Sequence, residues 1–389
     1  MTKVNRLALF MAVVLALTLP AAAVAKGADK PVYRFLNEAE VRHTPVKDQY
    51  HTGTCWCFAT VSFLEAEALR LGKGEFDLSE MFVVRHTYPK KAVNYVQMHG
   101  HAVHQQGGQA HDVIDQVRQF GIVPEEIYSG MNIGQKRHNH GEMVAVLQGI
   151  VDAVLKRQGT RLTPRWLEAY DAALDAYLGK VPVEFDWQGK SHTPKTFLSD
   201  ILGLDLADYV ELTSYDQHPF YEKCRLEIPD NWTYASEYYN LPIGELQAVV
   251  EEALARGYTV VWDGDVSEKD FSTRETGYAL VPEKDWEDKT TAEREMKPTA
   301  PLKEKEITQE LRTQTLHDFS TTDDHLMHIV GLAKDQTGAR FYRVKNSGGT
   351  DRKYDGYLYM SLPYFRLKTT ALMVNKNSLA PELKAKLGI

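Results

Sequence analysis

The chain has 389 residues, with 45 Lys and Arg against 53 Asp and Glu, a formal net charge of −8 and three cysteines. That acidic balance argues against nucleic acid or an anionic membrane as the main partner. Three cysteines in a chain this long exclude a disulfide-built scaffold, and an odd count leaves at least one thiol free or linking two chains.

Residues 1–25 read as a signal peptide. Lys3 and Arg6 precede the apolar run "LALFMAVVLALTLPAAAVA", and Ala23-Val24-Ala25 gives the small-x-small pattern that a signal peptidase accepts. Pro20 interrupts the run and leaves too little apolar length to span a bilayer. An exported protein, periplasmic or secreted, is expected, starting near Lys26, with no later membrane span. Without Lys3 and Arg6 the remainder is still more acidic, and it is long enough for one large or two medium domains.

The lead-in up to "TPVKD" is polar and reads as irregular. "CWCFATVSFLEAEALRLG" then carries helical periodicity in Phe58, Val61, Leu64 and Leu69, with Gly72 as a stop signal. "DLSEMFVVRHTY", capped by Asp77 or Ser79, and "AHDVIDQVRQFG" read as further helices. So do "GEMVAVLQGIVDAVLKRQG" and "TPRWLEAYDAALDAYLG", the last ending at Gly179. After the helix "IGELQAVVEEALARG" the character changes. "YTVVWDGDV" is β-rich, residues 283–318 are a charged stretch with no strand pattern, and "HLMHIVGLAK", "RFYRVKNSGG" and "GYLYMSLPYF" are β-branched and aromatic. The expectation is an α+β fold with a helical lobe over about 40–240, a β-rich lobe over about 241–376, a tail over 377–389, and a site between the lobes.

Cys55 falls where the first helix begins, after Gly53 and Thr54. Free N–H groups and the helix dipole at such a position favour the thiolate, the nucleophilic form of cysteine. A small buried thiol is the bland alternative. Zinc fits poorly, because Cys-x-Cys is a narrow spacing and no Cys-x-x-Cys pair accompanies it. Histidines 99, 101, 104, 138 and 140 are expected in exposed loops, so no metal is expected. A cysteine nucleophile needs a base and a group to orient that base. His325 stands at the start of an apolar strand and Asn346 at the end of the next, so antiparallel pairing of the two strands would let them meet. His328, three residues on, would turn to the other face, toward the core.

These residues carry a resemblance. "PVKDQYHTGTCWCFAT", with Gln49 six residues before Cys55 and Trp56 after it, resembles the active-site segment of papain-like cysteine peptidases. "QGGQAHDVIDQVRQFGIVP" is similar to the family's Gly-Gly segment, and "DHLMHIVG", "FYRVKNSGG" and "DGYLYM" to its histidine, asparagine and following strands. "LSEMFVV", "YVELTSYDQHPFYEKCRLEIPDNW" and "VVWDGDVS" point within it to the bleomycin hydrolase (aminopeptidase C) branch. Cys55 and His325 lie 270 residues apart, against about 130–150 in papain, and helical insertions account for the excess.

The resemblance implies a papain-like two-lobe fold and peptide hydrolysis through a thioester, with no cofactor. It makes Cys55 the nucleophile, His325 its base, Asn346 the group that holds the imidazole, and Gln49 the oxyanion-hole donor together with the Cys55 N–H. Gly107 and Gly108 would pair with the main chain of peptide substrates, the expected partners, and a homo-oligomer is compatible. Three departures stand out. Gly348 replaces the tryptophan of the family's Asn-Ser-Trp-Gly motif, Thr52 replaces a disulfide-forming cysteine, and the chain stops at "PELKAKLGI", short of the branch's full C-terminal arm. The alternatives are a catalytically weak peptide-binding module and acyl transfer at the same triad. Cys57, about 200° round the helix from Cys55, is read as a packed thiol or half of a bridge to Cys224.

Overall fold

The computed structural model describes residues 32–389 except 160 and 297, so the signal-peptide segment lies outside the described residues. Five helices dominate the first half: α1 (Cys55–Arg70), α2 (Glu80–Gln97), α3 (Ala110–Phe120), α4 (Gly141–Leu155) and α5 (Arg165–Leu178). The expected stripe on α1 is wider than its periodicity suggested. Every residue from Cys55 to Leu69 is buried, as befits a helix enclosed on all sides. Ser79 Oγ accepts the Phe82 N–H (3.0 Å) to cap α2. Gly179 closes α5 at φ 87°, a backbone conformation that favours glycine.

The second half builds most of an eleven-stranded sheet. Its main strands are β1 (Leu36–Glu40), β2 (Tyr209–Thr213), β3 (Val260–Gly264), β4 (His325–Lys334), β5 (Arg340–Lys345), β6 (Tyr357–Ser361) and β7 (Thr369–Asn375). Across the sheet they run β2-β7-β3-β4-β5-β6, with short strands at both ends. β4 is the hub. β5 lies on one side of it; on the other, β3 pairs with His325–Ile329 and β1 with Gly331–Lys334. The lead-in read as irregular therefore contributes a strand, and its mostly exposed side chains explain why no apolar pattern marked it.

Helix α6 (Ile243–Ala255) packs into the sheet-side core with Trp262, Met327, Tyr342 and Leu372. The other face of the sheet meets α1, where Val261, Leu326 and Met373 join the helical core. Among its described residues the 283–318 stretch has no strand, yet it ends in a packed helix, Gln309–His317. There the fully buried Arg312 donates to the carbonyls of Ser214 (2.6 Å) and Arg366 (2.8 Å). The tail ends in the helix Pro381–Leu387, which buries Leu383 and Leu387 in the sheet-side core and bonds Lys386 to Glu245 of α6 (3.0 Å). Among the described residues no helix is long and apolar enough to cross a membrane.

Candidate active site

Cys55 opens α1 directly after Thr54, and the thiol faces the backbone N–H groups of Leu326 and Trp56. Leu326 follows His325 on β4, so packing of α1 against β4 brings residues 55 and 325 to one place. His325 Nε2 lies 2.8 Å from Asn346 Oδ1. The β4–β5 register pairs His328 with Lys345, so Asn346, one residue past β5, is the diagonal neighbour of His325. Asn346 Oδ1 also accepts the Ser347 N–H at 2.8 Å, which fixes it as an acceptor. His325 must therefore donate from Nε2, and Nδ1 is left as the ring's acceptor.

Gln49 is tied to the same corner. Its Oε1 accepts from Ser347 Oγ (2.5 Å), its backbone N–H donates to Ser347 O (2.9 Å), and its Nε2 donates to Thr52 O (2.7 Å). One amide hydrogen of Gln49 remains for another acceptor. Gly53 N–H donates to Gln106 Oε1 (3.0 Å) and Trp56 Nε1 to Gln106 O (2.9 Å), which locks the Gly107–Gly108 segment to the start of α1. A Cβ on Gly108 would stand 3.1 Å from the Trp56 ring and 2.9 Å from Asp112 Oδ2, so only glycine packs there without displacing a neighbour. The Gly107 carbonyl accepts from Lys91 Nζ. Among the described residues, the Gly108 backbone groups have no partner.

The electrostatics oppose a ready-made thiolate. Burial pushes the Cys55 thiol up to about 12; the Leu326 and Trp56 amides pull it down, and Asp230 and Asp323 push it further up. Burial also lowers His325 from its ordinary value, against the pull of Asn346 and Asp324. Burial at this position therefore works against the thiolate that the helix start favours. Desolvation outweighs the dipole here.

The rivals sort cleanly. His328 is buried, with Nδ1 2.9 Å from Ser62 Oγ on α1, facing the core as expected. Cys57 is fully buried and donates Sγ–H to Glu80 O (3.2 Å); it forms no bridge with Cys224, and all three thiols are free. His104 and His140 are buried rather than exposed, His104 Nε2 lying 2.9 Å from Tyr170 Oη. Among the described residues no His, Cys, Asp and Glu group of three or more is arranged to hold a metal ion. The sequence reading missed Asp230, Asp263 and Asp323, which gather beside the thiol. The adjacent acids in "TTDDH", directly before the histidine, were the available signal.

A thiol at the start of a buried helix beside Leu326, the residue after a histidine paired with Asn346, fits a papain-like cysteine peptidase of α+β fold. The Peptidase C1-like family model matches residues 183–388, and the chain belongs to that family. It is 22% identical to aminopeptidase G of Lactobacillus delbrueckii subsp. lactis over 383 residues, covering 87% of this chain and 82% of the relative. It is 23% identical to the mitochondrial cysteine proteinase 1 of Saccharomyces cerevisiae over 389 residues (88% and 77%). Aminopeptidase C of Lactococcus lactis subsp. cremoris is 21% identical over 373 residues (87% and 82%). The PepW structure from Lactobacillus rhamnosis HN001 superposes with a TM-score of 0.69 at 19% identity, covering 91% of this chain and 84% of that one. These relatives fall in the bleomycin hydrolase branch to which the sequence motifs pointed.

Proposed function

We propose that Cys55 is the nucleophile of peptide-bond hydrolysis through a thioester acyl-enzyme. The observation that carries this reading is the Cys55 thiol set beside Leu326, next to a His325 held in its Nε2–H form by Asn346. Nδ1 of His325 takes the thiol proton as sulfur attacks the scissile carbonyl, and returns it to the leaving amine. Water then attacks the thioester with His325 again as base. The free amide hydrogen of Gln49 and the Cys55 N–H stabilise the tetrahedral oxyanion. Gly108 offers a free N–H and C=O for strand-like pairing with the substrate main chain; Gly107, its carbonyl taken by Lys91, shapes the approach. No cofactor enters.

The relatives' names support aminopeptidase-like action. In this reading residues 26–389 form one peptidase domain, exported by residues 1–25. Cys55→Ala should reduce peptide hydrolysis by at least about 10⁴-fold and abolish labelling by an epoxysuccinyl thiol reagent. Hydrolysis unchanged in that variant would exclude Cys55 as the nucleophile. A chain recovered from outside the cytoplasm should begin near Lys26 on N-terminal sequencing, and an intact Met1 there would exclude the cleaved signal. One observation favours a second reading, a weakly catalytic peptide-binding module: nothing stands closer than 3.8 Å to where a Gly348 side chain would begin, so no side chain from that position covers Asn346. Tight peptide binding without turnover would support that reading instead.

A further inference from the structure

Beside the thiol, on the Gly107–Gly108 side, lies a group of carboxylates that the hydrolytic machinery does not use. Asp263 on β3 is only 2% exposed, and neither of its carboxylate oxygens has a hydrogen-bond partner among the described residues. Thr370, Asp323 and Gln109 direct polar groups at it without closing a well-formed hydrogen bond, and Cys55 lies beside it. Asp323 sits at the rim, with Gln109 Nε2 3.4 Å from both of its oxygens and the Asp230 backbone N–H directed at it. Asp230 closes the other side. A Cβ on Gly107 would fall 1.9 Å from Asp230 Oδ2, so this carboxylate lies against the segment proposed to meet substrate. It is held there because Trp232 Nε1 donates to Asp112 Oδ2 at the start of α3 (2.8 Å) and Asn231 Nδ2 donates to Leu226 O (2.9 Å).

Nearby acids have a cation beside them; Asp263 and Asp323 do not. Two residues beyond Asp263, Asp265 has Lys368 Nζ at 3.1 Å. Lys91, the cation closest to the pocket, is engaged by the Gly107 carbonyl and directs its charge at Asp230 and Asp112. A buried carboxylate with no donor costs free energy that the folded chain alone does not recover. In the free protein a proton held between Asp263 and Asp323 eases that cost; a group that brings N–H donors and a positive charge would take its place.

We propose that Asp263, Asp323 and Asp230 form a pocket for an ammonium or guanidinium group of the substrate, on the acyl side of the scissile bond. This rests on the reading of Cys55 as nucleophile and Gly108 as the main-chain contact. Two parts of a peptide supply that chemistry: the free α-amino group of an N-terminal residue, or a Lys or Arg side chain on the second residue before the cleaved bond. Asp263 is the floor, with its unpartnered oxygens facing Asp323, and Asp323 and Asp230 are the accessible rim.

The test uses four fluorogenic amides: leucyl, N-acetyl-leucyl, acetyl-lysyl-leucyl and acetyl-leucyl-leucyl. At least one cationic substrate should exceed its neutral counterpart in kcat/KM by tenfold or more, mainly through KM. Asp323→Asn, and the milder rim change Asp230→Asn, should each cut that ratio at least fivefold. An advantage of leucyl over N-acetyl-leucyl assigns the pocket to the N-terminus; an advantage of acetyl-lysyl-leucyl over acetyl-leucyl-leucyl assigns it to a side chain. A wild-type ratio near one for both pairs, or a ratio unchanged in both variants, overturns the proposal. Calorimetry on Cys55→Ala separates the pocket from the nucleophile, with leucine amide and lysine amide against N-acetyl-leucine amide as probes. If wild type hydrolyses nothing but the Cys55→Ala protein binds an amine, and Asp323→Asn removes that binding, the pocket stands and the nucleophile reading fails. Hydrolysis with neither discrimination nor amine binding has the opposite meaning.

Discussion

Two groups of buried charge flank α1, and they are built on opposite rules. On one side Lys47 Nζ reaches Glu65 and Glu80 at 2.9 Å each, Asp77 at 2.5 Å and the Leu78 carbonyl at 3.0 Å. Glu65 also takes the Leu78 N–H (2.9 Å) and the Thr44 hydroxyl (2.5 Å). Lys345 bonds Thr44 O (2.8 Å) and Ser62 Oγ (2.7 Å), and Ser62 continues to His328. Burial alone would lower Lys47, but Glu80, Glu65 and Asp77 hold it well above its ordinary value. Near the start of α1, Asp263 and Asp323 face each other with no such cation; burial lifts both, and Asp263 lifts Asp323 further by charge and hydrogen bonding. A compensated cluster joins the lead-in, α1 and α2 into one body. An uncompensated one at a cleft has chemistry left to do.

The largest contrast comes from removing the cation where it is needed. Lys47→Met leaves Glu65 and Glu80 buried and unpaired, and should cost about 3–5 kcal/mol in urea unfolding. Asp263→Asn gives Asp323 a donor and removes a charge, so at pH 8 it should stabilise the fold by about 1 kcal/mol. A Lys47→Met cost below that of an ordinary surface change would erase the distinction between the two clusters.

The pH dependence of stability reads the burial of these acids. Asp263 and Asp265 are raised to about 7 with burial as the main cause, and so is Glu304. In the folded state each keeps a proton that the unfolded chain releases, so their stabilising effect is present at low pH and is lost as pH rises through 7. Between pH 6.5 and 8 the urea stability should fall, by about 1 kcal/mol for each such group. Asp263→Asn should flatten that slope. A stability that rose over this window would contradict the burial assigned to these acids.

A smaller effect reads the acids at the thiol itself. Asp230 is the first carboxylate among the influences that raise Cys55. Removing its negative charge eases ionisation, so Asp230→Asn should move the midpoint of iodoacetamide alkylation to lower pH by about half a unit. An upward shift, or none, would place that charge away from the sulfur.

The residues proposed to make and break bonds could be named from the sequence, and the acids that set charge could not. Cys55, His325 and Asn346 stand at element ends, where capping and strand alternation constrain position, and Gln49 and Gly108 came from the family resemblance. Asp230, Asp263 and Asp323 come from three segments whose convergence depends on the sheet order, which periodicity does not encode. Asp263 also hides in a strand that otherwise reads as core. Arg312 was missed for the related reason that a charged stretch reads as solvated until a buried set of carbonyls is found to receive it. The fate of the two cysteines in "CWC" was clearer, because helical geometry alone turns Cys57 away from Cys55.

The smallest expected change tests how well the His–Asn pair is sheltered. Asn346 orients His325 through one 2.8 Å contact, and water competes for such a bond unless something covers it. Gly348 leaves that cover open: the nearest atoms to its absent Cβ are Arg352 Nε and Asn346 Nδ2, both at 3.8 Å. Its φ is not in the left-handed region, so a larger residue meets no backbone strain there. Gly348→Trp should therefore fold, lay its ring over Asn346 and raise kcat by about threefold to tenfold, with little change in KM, which corresponds to about 1 kcal/mol of better orientation. Because the variant acts on the base and leaves the acidic pocket untouched, the preference for cationic over neutral substrates should persist. A changed preference with unchanged kcat would mean that position 348 contacts substrate rather than sheltering the histidine.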